Sequence, residues 1–286
     1  VSKVLEELLA LLELERIEEA IFRGPSRDLG FGAVFGGQVI GQALSAARRT
    51  VPVDRIVHSF HCYFLRPGDV ARPIVYDVER IRDGSSFTTR RVKAVQHGRA
   101  IFFMSASFHR EETGFDHADP MPDVPGPEGL ESALDFARRH VALIPEPLRA
   151  TFTHETPIEV RPVQVLDPTA PRPMPAVRRV WMRANGEMPD DPTIHRDLLA
   201  YASDFNFLVT ALQPHGRAFW DQSLQMASID HAMWFHRPLR MDEWLLYDVD
   251  SPSASGARGL VRGRIFSRDG RLVASTAQEG LIRERS

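Results

Sequence analysis

The chain has 286 residues, 43% hydrophobic and 26% charged, with a formal net charge of −3. This is globular composition, which excludes disordered, collagenous and fibrous classes. The near balance of 35 Lys and Arg against 38 Asp and Glu leaves no electrostatic footprint for a nucleic-acid partner. The single cysteine, Cys62, cannot form an internal disulfide, and no Cys/His cluster suggests a metal site. Apolar runs fall far short of the ~20 residues a spanning helix needs, so no stable membrane insertion is expected.

The N-terminal residues 1–9 are amphipathic and acid-rich, which fits neither a signal nor a transit peptide. Leu5, Leu8, Leu9 and Leu12 form a stripe that reads as core or interface packing. Residues 35–47 are apolar and rich in small side chains, and predict a buried helix opened by Gly36-Gly37. Strands are expected at 57–64, 74–80 and 87–96, followed by a turn at His97-Gly98 and a further strand at 100–109. Of the 21 prolines, 12 lie between Pro120 and Pro175, a density that precludes long helices and central strands. It predicts a Pro-rich linker at 113–155 with one short helix at about 130–143, between domains at 1–112 and 156–286. The second domain reads as a helix over 191–212 and strands at 225–235, 244–250, 258–267 and 272–282. Asp269-Gly270 supplies a hairpin signal between the last two.

The two halves resemble each other. A shift of 171 superposes Phe64, Arg66, Pro67, Tyr76, Asp77 and Val78 on Phe235, Arg237, Pro238, Tyr247, Asp248 and Val249, and a shift of 172 pairs Arg90 with Arg262 and Gly98-Arg99 with Gly270-Arg271. Duplication of one α+β unit, a helix followed by an antiparallel meander, accounts for this. A parallel βαβ arrangement is disfavoured because the strands cluster instead of alternating with helices.

Familiar catalytic motifs fail on inspection. Gly30 to Gly36 is one residue too long for a dinucleotide fingerprint, and neither a P-loop nor a G-x-S-x-G elbow occurs. His58 and His61 would point to opposite faces of a strand, so they do not make a metal pair. Ser228, Asp230 and His231 suggest a triad, but on one continuous strand His231 points away from the other two, so His231 and His236 read as structural, with support of a site from behind its reacting groups as the second reading.

Longer motifs carry a resemblance. They are Phe35-Gly36-Gly37-Gln38-Val39-Ile40-Gly41-Gln42-Ala43, His58-Ser59-Phe60-His61-Cys62-Tyr63-Phe64-Leu65-Arg66-Pro67-Gly68, Tyr201-Ala202-Ser203-Asp204 and Ile229-Asp230-His231-Ala232-Met233-Trp234-Phe235-His236-Arg237-Pro238. Together with Trp244-Leu245-Leu246-Tyr247 and Ser275-Thr276-Ala277-Gln278-Glu279-Gly280, the sequence resembles the acyl-CoA thioesterase II family over nearly its whole length. The resemblance implies a double hotdog, two fused copies of a long helix wrapped by an antiparallel sheet. It also implies hydrolysis of fatty acyl-CoA to free acid and CoA without a covalent intermediate, by a water held between an aspartate, a hydroxyl and a glutamine. Those positions fall on Asp204, Ser228 and Gln278. The family's usual threonine is serine at 228, which keeps the hydroxyl and loses the rotamer-restricting methyl.

The residues themselves fit these roles. Asp204 lies among Tyr201, Phe205, Phe207 and Leu208, where desolvation raises a carboxyl pKa toward that of a useful general base. Backbone N–H groups at the Gly36-Gly37 helix start are candidates for oxyanion donors. Arg66 and Arg237 read as loop-fixing residues, with CoA phosphate contact as a second reading. No cofactor is implied beyond the CoA of the substrate, and a cytoplasmic homodimer or homotetramer is expected. The alternatives are a hotdog enoyl-thioester hydratase and a non-catalytic acyl-CoA-binding module, since fold alone does not assign function.

Overall fold

The computed structural model describes residues 2–166, 170–205, 207–219 and 221–285. Helix α1 (Lys3–Leu12) is capped by Ser2, whose Oγ accepts the Leu5 N–H at 3.4 Å, and it buries Leu5, Leu8, Leu11 and Leu12. Two short strands, β1 (Glu15–Glu18) and β2 (Ile21–Gly24), follow as a hairpin. At four residues each they are too short to show a period, and the sequence reading missed them. Helix α2 (Gly36–Arg48) is buried from Gly37 to Ala47, as its small-residue composition predicts. The meander is β3 (Ile56–Phe64), β4 (Ile74–Asp83), β5 (Phe87–Gln96) and β6 (Arg99–His109). His97 and Gly98 join the last two with φ of 49° and 69°, as a two-residue hairpin turn with positive φ at both positions requires.

The second half begins with α3 (Ala133–Arg139), continued by a 3₁₀ turn at Val141–Leu143, and α4 (Arg149–Thr153). Strands β7 (Ile158–Pro162) and β8 (Val177–Ala184), also missed in the sequence, come next. Pro162 is tolerated because β7 is the edge strand. Helix α5 (Pro192–Ala202) opens on Asp191, whose side chain accepts the Thr193 N–H at 2.8 Å, with Pro192 in the first turn.

The expected helix over 191–212 is not continuous. It ends at Ala202, turns through Ser203–Phe205 and resumes as a 3₁₀ helix at Leu208–His215; Asn206 lies outside the described residues. Tertiary packing overrides the helical spacing here. Phe205 packs on Phe35 of the first half, 4.3 Å between centroids, while Phe207 stacks on Tyr247 at 5.5 Å.

The remaining strands are β9 (Leu224–Ser228), β10 (Asp230–Phe235), β11 (Leu245–Ser255), β12 (Arg258–Ser267) and β13 (Leu272–Glu284). The expected single strand over 225–235 is therefore broken at Ile229. On β13, Ser228 faces Gly280 but Ala232 faces Ala277. Four residues advance on one side against three on the other, so the chain carries one extra residue between Ser228 and Ala232. Such a bulge re-aims side chains relative to regular alternation.

Among the described residues the strands form one antiparallel sheet in the order β1-β2-β4-β5-β6-β3-β10-β13-β12-β11-β8-β7, with β9 on the end of β13. Ala232 of β10 pairs with His61 of β3, its counterpart under the 171 shift, so a pseudo-two-fold axis passes between these strands. The first half wraps α2, the second half lies against the 3₁₀ helix that follows α5, and α2 and α5 pack together where Gly41 lets α2 approach the Asp197 carbonyl. This is a double hotdog of the α+β class. The ladders correct one detail of the repeat: Arg91, not Arg90, is the counterpart of Arg262, since they face Glu79 and Asp250 respectively. Arg90 turns inward and bonds Thr50 Oγ1 at 2.9 Å and Asp83 Oδ1 at 2.7 Å.

The Pro-rich segment runs over the outer face of the second half of the sheet. There Met121, Val124 and Leu130 pack on Trp181, Trp244, Leu246 and Phe266, and the Trp181 indole N–H donates to the Pro125 carbonyl at 2.8 Å. No helix among the described residues is long and apolar enough to cross a membrane.

Candidate active site

Asp204 sits two residues beyond α5, in the turn and not within a helix as its motif suggested. It is 9% exposed, and its carboxylate abuts the start of α2 from the other half of the molecule. A β-carbon on Gly36 would lie 2.6 Å from Asp204 Oδ2 and 2.9 Å from the Phe64 ring. Glycine at this position is thus a spatial requirement. The first N–H groups of a helix have no intrahelical partner and carry its positive dipole end, and the Gly37 N–H faces the Asp204 carboxylate.

Burial dominates the electrostatics at this point. It pushes the Asp204 carboxyl up to about 7, although the Gln278 amide, the Gly37 N–H and the Ser228 hydroxyl each pull it down. None of these three meets Oδ1 in hydrogen-bonding geometry, and that buried oxygen has no partner. An unpaired carboxyl oxygen is costly in a folded core, and it leaves Asp204 able to accept a further hydrogen bond.

Ser228 and Gln278 converge on the same point from β9 and β13. The Gln278 Nε2–H donates to Ser228 Oγ at 2.7 Å. All three residues expected from the sequence are brought together. What the sequence reading missed is the extension of this network. His231 Nδ1 lies 2.7 Å from Gln278 Oε1, and His231 Nε2 lies 3.0 Å from Ser203 Oγ. The bulge at Ile229 is the reason: the extra residue brings His231 and Ser228 to opposite ends of one amide, where a continuous strand would have separated them. His231 was therefore misread as pointing away. Asp230, expected to share a face with Ser228, is turned out of the site by the same bulge and accepts the Glu279 N–H at 2.7 Å.

His231 is fully buried, and burial holds its pKa down at about 4. Tyr247, also buried, donates to the Ser203 carbonyl at 3.0 Å and accepts from Thr276 Oγ1 at 2.9 Å, which clamps the turn that carries Asp204. The Cys62 Sγ donates to the His231 carbonyl at 3.1 Å, and burial raises its thiol pKa.

The site occurs once in the chain. Through the ladders the counterparts of Ser228, His231 and Gln278 in the first half are Val57, Phe60 and Ala106, all buried and apolar. His58 bonds Ser107 Oγ at 2.8 Å and His61 stands against Trp234, both away from Asp204. Among the described residues no group of three His, Cys, Asp or Glu side chains is placed to hold a metal ion. Arg66 and Arg237 act as loop ties: Arg66 donates to the Ala100 carbonyl at 2.6 Å and Arg237 to its counterpart, the Leu272 carbonyl, at 2.7 Å.

Two cavities lie in the second half. A small one of about 30 Å³ touches Ala202, Phe205, Phe207 and Tyr247, immediately beyond Asp204. A larger one of about 330 Å³ lies between α3, the 3₁₀ helix and the Pro-rich segment, and none of the three site residues lines either cavity. Arg178 borders both.

Known proteins resemble this chain in sequence and fold. A family model described as acyl-CoA thioesterase matches residues 147–281, and one described as acyl-CoA thioesterase N-terminal domain matches residues 25–109. The chain is 48% identical over 282 residues to acyl-CoA thioesterase 2 of Haemophilus influenzae, covering 99% of each chain. It is 44% identical to human acyl-coenzyme A thioesterase 8, over 96% of this chain and 88% of that one. The crystal structure of an acyl-CoA thioesterase II from Mycobacterium marinum superposes with a TM-score of 0.80 at 43% identity, covering 98% of both chains.

Proposed function

The chain belongs to the acyl-CoA thioesterase family, and from that premise we propose that it hydrolyses fatty acyl-CoA by direct attack of a water held between Asp204, Ser228 and Gln278. The observation that carries this reading is the unpartnered Asp204 Oδ1, buried beside the Ser228–Gln278 pair. A carboxyl near pH 7 is matched to proton abstraction from water. Ser228 Oγ accepts from Gln278, so its own proton is free to orient the water or the carboxylate.

In this reaction the water oxygen bonds to the thioester carbonyl carbon as Asp204 takes its proton. The negative charge that develops on the carbonyl oxygen is assigned to the positive end of the α2 dipole, beside which Asp204 is held. Collapse breaks the carbon–sulfur bond, and the proton passes from Asp204 to the departing CoA sulfur. The products are the fatty acid and CoA. The acyl tail is assigned to the apolar space beyond Phe205 and Phe207, with the larger cavity as its extension past Arg178.

A hydratase reading needs a histidine acid beside the carboxylate. The histidine nearest in the network, His231, has both ring nitrogens engaged and a depressed pKa, which favours hydrolysis. The proposal further takes residues 1–112 and 156–286 as two domains joined by the 113–155 linker, in a cytoplasmic homodimer or homotetramer. The free, buried Cys62 fits a reducing compartment.

The test is free-thiol release from a panel of saturated acyl-CoAs, C4 to C18, with wild type and Asp204→Asn. Release that the variant loses supports the reading, and the panel gives the chain-length preference. Tight acyl-CoA binding without release from any chain would instead identify a binding module, and release undiminished in the variant would remove Asp204 from its role.

A further inference from the structure

The polar network has a direction that the three site residues cannot set among themselves. A glutamine amide has a donor end and an acceptor end of nearly the same shape, and its orientation follows from its partners. Ser228 can accept from Nε2 or donate to Oε1, so it accommodates either. The proposed chemistry needs the donor end toward Ser228 and Asp204. What lies at the other end of Gln278 therefore decides the matter, and that is His231 Nδ1 at 2.7 Å.

We propose that His231 is a positioning residue for the hydrolysis, held as the Nδ1–H tautomer so that it donates to Gln278 Oε1 and turns the Gln278 amide donors toward Ser228 and Asp204. This inference rests on the assignment of Gln278 and Asp204 to the catalytic site. Ser203 Oγ is 3.0 Å from His231 Nε2 and 2.9 Å from the Ala200 carbonyl, with one proton to give. A neutral imidazole carries one proton; the Gln278 amide presents its acceptor Oε1 to Nδ1 and its donor to Ser228, so that proton stands on Nδ1, and Nε2 is left to accept from Ser203 when the hydroxyl turns from the Ala200 carbonyl. Polarity then runs one way, from His231 through Gln278 to Ser228. Burial keeps the ring neutral, so the direction does not change across the working pH range.

The fold does not itself call for histidine there. Phe60 occupies the equivalent position in the first half beside Ala106, and it is as buried as His231. An aromatic ring satisfies the packing; the imidazole is needed for its two nitrogens. This also supplies a variant compatible with the fold, His231→Phe, and a conservative one, His231→Asn, whose amide nitrogen can take the place of Nδ1–H.

The first measurement is the tautomer in wild type, from long-range ¹H–¹⁵N correlation of ¹⁵N-histidine-labelled protein, with His231 assigned by its absence in His231→Asn. The Nδ1–H form, unchanged from pH 5 to 9, is expected; an Nε2–H form, or titration in that interval, overturns the proposal. This reading does not depend on catalysis, so it stands apart from the fate of Asp204→Asn. The second is kinetic. His231→Phe should lower kcat by roughly 10- to 100-fold with KM little changed, and should move the acid limb of kcat/KM to higher pH because the amide no longer supports the Asp204 anion. His231→Asn should recover most of kcat and return the limb. Wild-type kcat and limb in a folded His231→Phe, or no recovery in His231→Asn, would overturn the proposal.

Discussion

Gly36 and Asp204 come from different halves of the molecule and meet so closely that a methyl group on the glycine would stand 2.6 Å from Asp204 Oδ2. Helix α2 thus touches the base of the proposed reaction with bare backbone. The neighbouring Gly37 is packed just as closely, against the Tyr201 carbonyl and the Phe35 ring. The contact explains why a buried helix starts on two glycines in spite of their cost to helix stability.

Gly36→Ala should therefore displace the carboxylate and leave the helix intact or slightly favoured. A misplacement of about 1 Å in a catalytic group costs on the order of 100-fold in rate. Steady-state kinetics should show a loss of that order in kcat, with a melting temperature close to wild type.

Asp204 should give activity an acid limb. With its carboxyl at about 7, kcat/KM should rise with pH through that value and then level off. Its effect on stability has the opposite sense. The folded-state pKa lies above the unfolded value, so the folded protein holds the extra proton, and stability is lost as pH rises from about 4 to about 7. Three units correspond to roughly 4 kcal/mol at most. Asp204→Asn should accordingly be inactive and more stable than wild type at pH 8, with the gain vanishing near pH 4, in denaturant titrations at the two pH values.

At position 228 the proposed reaction needs the hydroxyl and not the methyl. Ser228→Thr keeps the acceptor for Gln278 Nε2 and should retain activity within a few-fold. Ser228→Ala removes it, leaves a largely buried amide proton unpaired, and should lower kcat by roughly 10- to 100-fold, equivalent to about 1–3 kcal/mol. Thiol-release assays on the two variants separate these outcomes.

The two helices are joined by charge as well as packing. Arg48 Nε donates to Asp197 Oδ2 at 2.6 Å, linking α2 to α5. Burial raises the Asp197 carboxyl to about 6 even though Arg48 pulls it down. Arg48→Met leaves a buried carboxylate alone and should destabilise the protein by about 3–5 kcal/mol. Because Asp197 can then take up a proton, the loss should be smaller at pH 5 than at pH 8. Asp197→Leu in the same chain should restore much of it.

Much of this was legible in the residues. The apolar and β-branched runs of β5 and β12 matched their strands end to end, and the Phe64-x-Arg66-Pro67 and Phe235-x-Arg237-Pro238 repeats correctly announced a duplicated unit. The helix over 191–212 was read too long because spacing alone does not register that Phe205 and Phe207 are drawn to different partners, Phe35 and Tyr247. Strands β7 and β8 were hidden in a proline-rich stretch where local propensity is poor, and they exist because they extend an existing sheet.

The site shows where the division lies. Residue types, their order and the repeat are properties of the chain, and the family resemblance that its longer motifs carry brought Asp204, Ser228 and Gln278 forward as a set. The part of His231 was decided elsewhere. One extra residue in the ladder against β13 reverses the face a side chain presents, and no local pattern marks where that residue falls, because its position is set by pairing with strands far away in sequence. The pKa of Asp204 is likewise a tertiary quantity, since it depends on burial beneath a helix from the other half of the molecule. Local chemistry can be read from a sequence because it resides in single residues, whereas desolvation and register arise only when distant segments meet.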